Sequence, residues 1–580
     1  MENQKMENLL NLALYASPTE RLRSSQLPVG YDAADQTFEV VIRYQGNLSF
    51  LEDAGVDYTA LLGSYAILRL PEDSLDAVSS LPQVTYMEKP KRLYFSASEG
   101  RAASCINPVQ SGSALDSPGL SGRGILVACI DSGVDYTHPD FRNPDGSSRI
   151  LRLWDQTAAQ GPPPPGYRLG TLYTKEQLDA ALSSDFPLEQ IPSRAPGGHG
   201  TAVLGIAAGN GRASGGILKG TAPEASLAVV KLGVPEPGGF PRTTQLMQAL
   251  DYIIRLSMEL KLPTAVNISI GNSYGSHSGD SLLETYIDTV SGFGRNVICI
   301  GTGNEGDRGC HRTGKMISGQ ILDTEFQTGS YTLTTNLQIW KQYTDTADLV
   351  LIHPGGQTSG PIQPVLGPLR LRLQNTEILA YYGMPSPFSV FQEIYLDFLP
   401  VSGNTYVDSG TWTLRLIPKR IVDGTFHTWL PGGSAESSAR FYLPSPDTTL
   451  TIPSTARRGI AVAAYNSSLQ TYAPFSGRGY TAVRQEIKPD LAAPGVNIQA
   501  PRPGGGYGTY TGTSFAVPFV TGSAALLMEW GILKGNDPFL YGEKVKAYLQ
   551  RGARQLPGYE TWPNPQLGYG VLCLKDSFPD

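Results

Sequence analysis

A side chain that exchanges protons near neutral pH is most often histidine, and the 580-residue chain has only six. His199 differs from the rest. In "PGGHGTAVLGIAAG" it opens a small-residue helix and is flanked by glycines, which allow close approach to another element. His138 stands before Pro139 in a loop, His277 and His311 lie in glycine- and serine-rich loops, and His353 and His427 fall among short β-like runs. A polar helix start is the plainer reading of His199. A carboxylate to orient it is found in "GRGILVACIDSGVDYTHPDF", where the apolar run Ile125 to Ile130 is followed by Asp131. A run of that kind suits a parallel strand buried on both faces, and ligands bind at the carboxyl ends of such strands. A carboxylate leaving so apolar a strand needs a hydrogen-bond partner. The candidate nucleophile is Ser514 in "YTGTSFAVPFVTGSAALLMEW", between a Gly-Thr turn and a long apolar run. Proline is tolerated in the first helical turn, so Pro518 predicts a helix starting near Thr513 or Ser514. There a hydroxyl meets the positive end of the helix dipole and N–H groups without intrahelical partners. A serine N-cap accounts equally well for this stretch alone.

Two further strands could complete such a site. "RNVICIGTGNEGD" ends in Gly303-Asn304-Glu305-Gly306, and the Asn304 amide could hold an oxyanion opposite a helix N-terminus, or be an ordinary loop asparagine. "PTAVNISIGNSYG" predicts a strand from Val266 to Gly271 whose edge could pair with an extended peptide.

Together, "DSG" at Asp131, "HGT" at His199, "SIG" at Ser269 to Gly271, "GTGNEG" around Asn304 and "GTSFAVP" around Ser514 resemble the subtilisin-like serine proteases, in that family's Asp, His, Ser order. The likeness covers roughly residues 97–310 and 451–575, including "KPDLAAPGVNI", Lys488 to Ile498. It implies an α/β fold, a parallel sheet with helices on both faces. Asp131 would orient His199, His199 would take the Ser514 proton, and Asn304 with the Ser514 N–H would hold the oxyanion. Ser269, Ile270 and Gly271, with Gly301, Thr302 and Gly303, would line the pocket for the residue before the scissile bond. Phe515 departs from the methionine or alanine of most relatives and is expected to be buried behind Ser514. The reaction needs no cofactor, and without a DxDxDG loop no metal is assigned.

A chain this long exceeds a single core, since cores stop growing at roughly 250–300 residues. Residues 1–96 hold strand-like Thr37 to Asn47, Ser64 to Pro71 and Val84 to Phe95, and a helical Pro71 to Leu81. They read as a small α+β domain that resembles the inhibitory, chaperone-like propeptide of the family; a permanent accessory domain is the alternative. A propeptide implies self-cleavage in "LYFSASEG", between Ser96 and Ala97. The catalytic unit then spans 97–311 and 451–580. Between its halves, 312–450 contains short β-rich runs broken by Gly, Pro, Asn and Asp, which predict an antiparallel β-sandwich or jelly roll. "GPPPPG", Gly161 to Gly166, reads as exposed connection.

The formal net charge of −7 favours neither nucleic acid nor an anionic membrane as partner. No apolar run of about 18 residues suggests a span. The stretch Leu9 to Tyr15 lacks a cationic flank and is a poor signal peptide. Cys105, Cys129, Cys299, Cys310 and Cys573 are scattered, odd in number, and suggest no disulfide framework. The propeptide-like domain and the inserted β-domain together resemble the Csp germination proteases of clostridial spores. That likeness implies a spore-associated enzyme that activates a cortex-lytic hydrolase zymogen, with its own cleaved propeptide as a partner. A broadly degradative protease and a non-catalytic scaffold on the same fold remain open at this stage.

Overall fold

The computed structural model describes residues 4–579 apart from 25, 54, 92–93, 96–101, 111–118, 196, 234–239, 433–437 and 484. Its centre is a nine-stranded sheet. In spatial order the strands are Thr471–Tyr472, Ile460–Asn466, Asn296–Gly301, Thr264–Ile268, Leu126–Asp131, Ser226–Lys231, Ile150–Asp155 and Thr171–Thr174, with Leu491–Pro494 also on Ile460–Asn466. The inner pairs are all parallel, and only the pairs with Thr171–Thr174 and Thr471–Tyr472 are antiparallel. Alternate residues of the Asp131 strand point into separate cores. Val127 and Cys129 meet the helices His199–Ala208 and Thr513–Met528, whereas Leu126, Ala128 and Ile130 meet Thr243–Leu260 and Leu282–Val290. Burial on both faces is why this strand reads as continuous apolar sequence rather than an alternation.

Chain order reverses around the Asp131 strand. Ser226–Lys231 lies on one side of it and the next strand, Thr264–Ile268, on the other. Such a reversal opens a crevice at the carboxyl ends of the strands, and Asp131 is the last residue of its strand.

Residues before 96 form a five-stranded antiparallel sheet built on Thr37–Tyr44, Tyr65–Pro71 and Val84–Glu88. One face packs Val41, Tyr65, Ile67 and Tyr86 against the helices Thr243–Leu260 and Leu282–Val290. Tyr65 donates to Thr285 Oγ1 at 3.1 Å, and the Leu62 N–H donates to Asp251 at 2.7 Å. The stretch Leu9 to Tyr15 belongs to a helix, Asn8–Tyr15, which buries Leu10, Leu12 and Ala13 in one core with Leu379, Tyr381, Tyr395 and Leu399.

Those last residues belong to the chain inserted between Asn296–Gly301 and Ile460–Asn466, two strands that pair with each other. The insertion forms a six-stranded and a four-stranded antiparallel sheet that share one core, including Phe326, Leu396, Phe398, Trp412 and Leu414. The central sheet thus closes as if the insertion were absent.

One disulfide, Cys105–Cys573, ties the chain just after the N-terminal sheet to its last residues, which corrects the expectation of none. Cysteines 468 positions apart give no spacing signal. Cys129, Cys299 and Cys310 are free and buried. Among the described residues, one helical stretch is long and apolar enough to cross a membrane, Thr513–Leu533, and 83% of its most apolar window lies buried in the core.

Candidate active site

Asp131 is fully buried, and its Oδ1 accepts the His199 Nδ1–H at 2.7 Å, the Ser132 N–H at 2.7 Å and the Ser132 hydroxyl at 3.1 Å. With Nδ1 donating, the imidazole is held with Nε2 as its acceptor. His199 is the first residue of its helix, and Gly198 before it sits at φ +73°, where a glycine turns the chain at little cost. Gly200 permits the approach. A methyl built there would lie 2.9 Å from both Cβ and Oδ1 of Asp131.

Ser514 is the second residue of the helix Thr513–Met528, entered through Gly512 at φ +153°. Pro518 lies inside that helix rather than in its first turn, which corrects the sequence argument for its place. Lacking an N–H, Pro518 leaves the Ser514 carbonyl without its partner four residues on. The Ser269 hydroxyl supplies the missing donor at 2.9 Å, while the Ser514 hydroxyl donates to the Ser269 carbonyl at 3.0 Å. Ser514 and Ser269 are therefore bonded twice. Phe515 is fully buried, with its ring edge-on to His199 at 5.1 Å and stacked on Tyr510 at 5.3 Å.

Asn304 Oδ1 accepts the Thr513 N–H at 3.0 Å and the Thr513 hydroxyl at 3.2 Å. This satisfies one of the four N–H groups a helix start leaves unpaired and fixes the amide, so that Nδ2 is its remaining donor end. The Ser514 N–H also lies in the first turn of that helix. Thr513 was not singled out by sequence reasoning; its place directly before the serine was the available signal.

Ser269 breaks the predicted Val266–Gly271 strand. Thr264–Ile268 stays in the central sheet, while Ile270–Gly271 pairs antiparallel with Tyr94–Phe95, Ile270 opposite Phe95 and Gly271 opposite Tyr94. The end of the N-terminal domain thus lies on the edge that would hold a peptide. Ser96 and Ala97 fall outside the described residues. Gly301 ends its strand against the nucleophile helix, and the Thr302 carbonyl accepts the Thr451 N–H at 2.9 Å. Burial raises the Glu305 carboxyl to about 7.

The other histidines are occupied elsewhere. His138 accepts the Asp140 N–H and meets the Gly506 carbonyl. His277, His311 and His427 stack on Trp429, and His311 opens a strand, not a loop. His353 pairs with Asp408. Among the described residues, no group of three His, Cys, Asp or Glu could hold a metal ion.

A buried acid–imidazole pair, a helix-start serine and a pinned amide at the switch point of a parallel sheet define a serine hydrolase arrangement. Residues 122–332 and 442–570 match the subtilase family, and the chain belongs to it. Residues 4–91 match the Csp protease B prodomain. Among solved structures, the Clostridium perfringens CspB protease is similar at a TM-score of 0.75 and 36% identity, covering 82% of this chain and 96% of that one. Minor extracellular protease Vpr of Bacillus subtilis is 23% identical over 79% of this chain and 52% of its own length. Subtilisin E of the same organism is 47% identical over 34% of this chain and 39% of its own. The chain spans about half or less of the length of the curated relatives it matches.

Proposed function

We propose that this chain is a serine endopeptidase that cleaves itself once and then acts on few protein targets. The observation that carries it is the 2.7 Å Asp131–His199 bond beside a serine whose helix start faces a pinned asparagine. In this reading Asp131 holds the imidazole and stabilises its charged form. His199 Nε2 takes the hydroxyl proton as Ser514 Oγ attacks the carbonyl carbon. Asn304 Nδ2 and the Ser514 N–H receive the oxyanion; His199 then protonates the leaving amine, and water reverses the sequence to free the enzyme.

The β-pairing of Tyr94–Phe95 with Ile270–Gly271 supports an intramolecular substrate. An extended chain that continues this register reaches Ser269, the contact of Ser514, with its next residue. Cleavage between Ser96 and Ala97 is our proposal for maturation. Residues 1–96 then act as an inhibitory propeptide, 97–311 with 451–580 as the protease, and 312–450 as a jelly-roll insertion. Contacts on the helices Thr243–Leu260 and Leu282–Val290 and on the inserted sheet support a cleaved propeptide that stays docked.

The match to a Csp protease B prodomain and the likeness to the CspB protease support a role in spore germination. The target would be a cortex-lytic hydrolase zymogen, the location the spore, and neither nucleic acid nor membrane a partner. Incubating the purified protein with such a zymogen and with casein tests this role. Cleavage of the zymogen at one bond, absent with Ser514→Ala, is expected. Equal turnover of casein would make it a general degradative enzyme.

A further inference from the structure

Alternate residues of a strand share a face, and on the face of the N-terminal sheet that packs on the protease an apolar row gives way to a charged one. Val41, Ile67 and Thr59 stand opposite one another on three neighbouring strands, and Val41 and Ile67 pack against the helices Thr243–Leu260 and Leu282–Val290. The next row on the same strands is Glu39, Arg69 and Asp57. There the sheet and the protease leave a cavity of about 470 Å³ between them, within the usual size range of a small-molecule site. On the protease side it is lined by Arg242 and Gln248, and by Arg168 and Leu169 just beyond "GPPPPG". That loop is fixed by Tyr167, whose hydroxyl donates to Asp251 at 2.7 Å, and Arg168 reaches across to Asp57 of the N-terminal sheet.

The charges on this lining are already answered. Arg168 pairs with Asp57, Arg242 with Glu39 at 3.1 Å and Arg69 with Asp32 at 2.5 Å, so the cavity wall carries no net charge. An ionic guest would have to open one of these pairs. Two buried polar side chains are left over. Gln248 is 3% exposed and Thr59 is 7% exposed, and neither side chain has a hydrogen-bond partner among the described residues. On the same stripe of the helix, Gln245 reaches Glu39 at 3.5 Å and Asp251 accepts the Leu62 N–H at 2.7 Å. Gln248, three residues from each, faces the cavity instead. A buried amide left unpaired is costly, and a guest that both donates and accepts relieves that cost.

We propose that this cavity binds a neutral, hydroxyl-rich molecule of the size of one or two sugar rings. A hydroxyl both donates and accepts. It can therefore bond the Gln248 amide and the Thr59 hydroxyl, and the lone pairs and N–H groups that the ion pairs leave over, without opening a pair. Ile67 and Leu169 offer apolar surface to the C–H face of a ring. A guest held by Thr59 and Gln248 together bridges the N-terminal domain to the protease and strengthens their docking. Binding stands apart from the proteolytic reading above; retention of a cleaved N-terminal domain rests on it.

Binding is measured on the uncut Ser514→Ala chain, which needs no catalysis, by saturation-transfer NMR with glucose, N-acetylglucosamine, maltose and cellobiose at millimolar concentration. Transfer to at least one sugar is expected, and Thr59→Val with Gln248→Leu should weaken its binding about 10-fold or more. Thermal melting without sugar checks that the double variant folds; if it does not, Thr59→Val alone carries the comparison. In processed protein, the bound sugar at about ten times its Kd should reduce release of the N-terminal domain on dilution about 10-fold. No transfer to any of the four sugars, equal binding in the folded variant, or binding of γ-aminobutyrate in preference to all four would overturn the proposal. An unaltered chain that never cuts itself would instead overturn the proteolytic reading and leave the binding result standing.

Discussion

Gly200→Ala probes the helix approach on which the proposed mechanism depends, without touching a reacting group. The added methyl would sit 2.4 Å from the Gly133 carbonyl oxygen and 2.9 Å from Asp131 Cβ and Oδ1, while carbon atoms pack comfortably at roughly 3.5–4.0 Å. The His199 helix and the Asp131 strand must then separate by about 0.6 Å or more. Neither yields easily: the Asp131 strand is buried on both faces, and the helix packs Ala202, Val203 and Ile206 into the same core. Overpacking of this kind costs about 1–3 kcal/mol of stability, and misplacement near 1 Å can cost about 100-fold in rate. Self-processing is expected to slow roughly 10- to 100-fold while the protein still folds. Processing rate by gel and intact mass, paired with thermal melting, separates the two effects. A Gly200→Ala protein that matures at the unaltered rate would refute the claim that this close approach sets the Asp131–His199 pair.

Other consequences follow from the same geometry. Asn304→Ala should lower the processing rate by about 10²–10³, the cost of one oxyanion donor, and should also lower the melting temperature, because the buried Thr513 N–H and hydroxyl lose their acceptor. Breaking the disulfide by Cys105→Ser should destabilise the catalytic unit by about 2–5 kcal/mol, read by denaturant unfolding, because it frees both ends of that unit. Docking of the cleaved prodomain should weaken as pH rises. Burial raises Glu88, Glu393 and Asp397 to about 7 in the docked state; they face Glu7, Asn8, Ser24, Lys89 and Lys91. Released, these carboxyls return to their ordinary range near 4, so the complex holds more protons than its parts. Docking is then strongest below about pH 4, weakens through the interval up to about 7, and levels off above it. Gel filtration of diluted, processed protein should show at least ~10-fold weaker retention at pH 7 than at pH 5; equal retention would contradict the linkage.

The sequence carried the chemistry better than it carried the supports. Asp131, His199, Asn304 and Ser514 were legible because each stands at the end of a strand or the start of a helix, where composition changes abruptly. The strand containing Asp131 was visible as an unbroken apolar run for the same reason that it is central. Pro518 was misjudged, since its lost hydrogen bond is repaired by Ser269, 245 residues away, and no local rule contains that partner. Gly200 was silent because its place is set by a distance to another segment. The stretch Leu9 to Tyr15 reads from sequence only as a poor signal peptide and not as a packed helix, because the partner face of Asn8–Tyr15 lies on Tyr381, Tyr395 and Leu399. The Cys105–Cys573 link was hidden by separation alone.

Intact mass of the purified protein beside its Ser514→Ala variant tests the central claim most directly. The unaltered chain should appear as two fragments of roughly 10 and roughly 50 kDa, divided near residue 96, and Ser514→Ala as one uncut chain. An uncut unaltered protein, or a Ser514→Ala protein cut at the same bond, would contradict it.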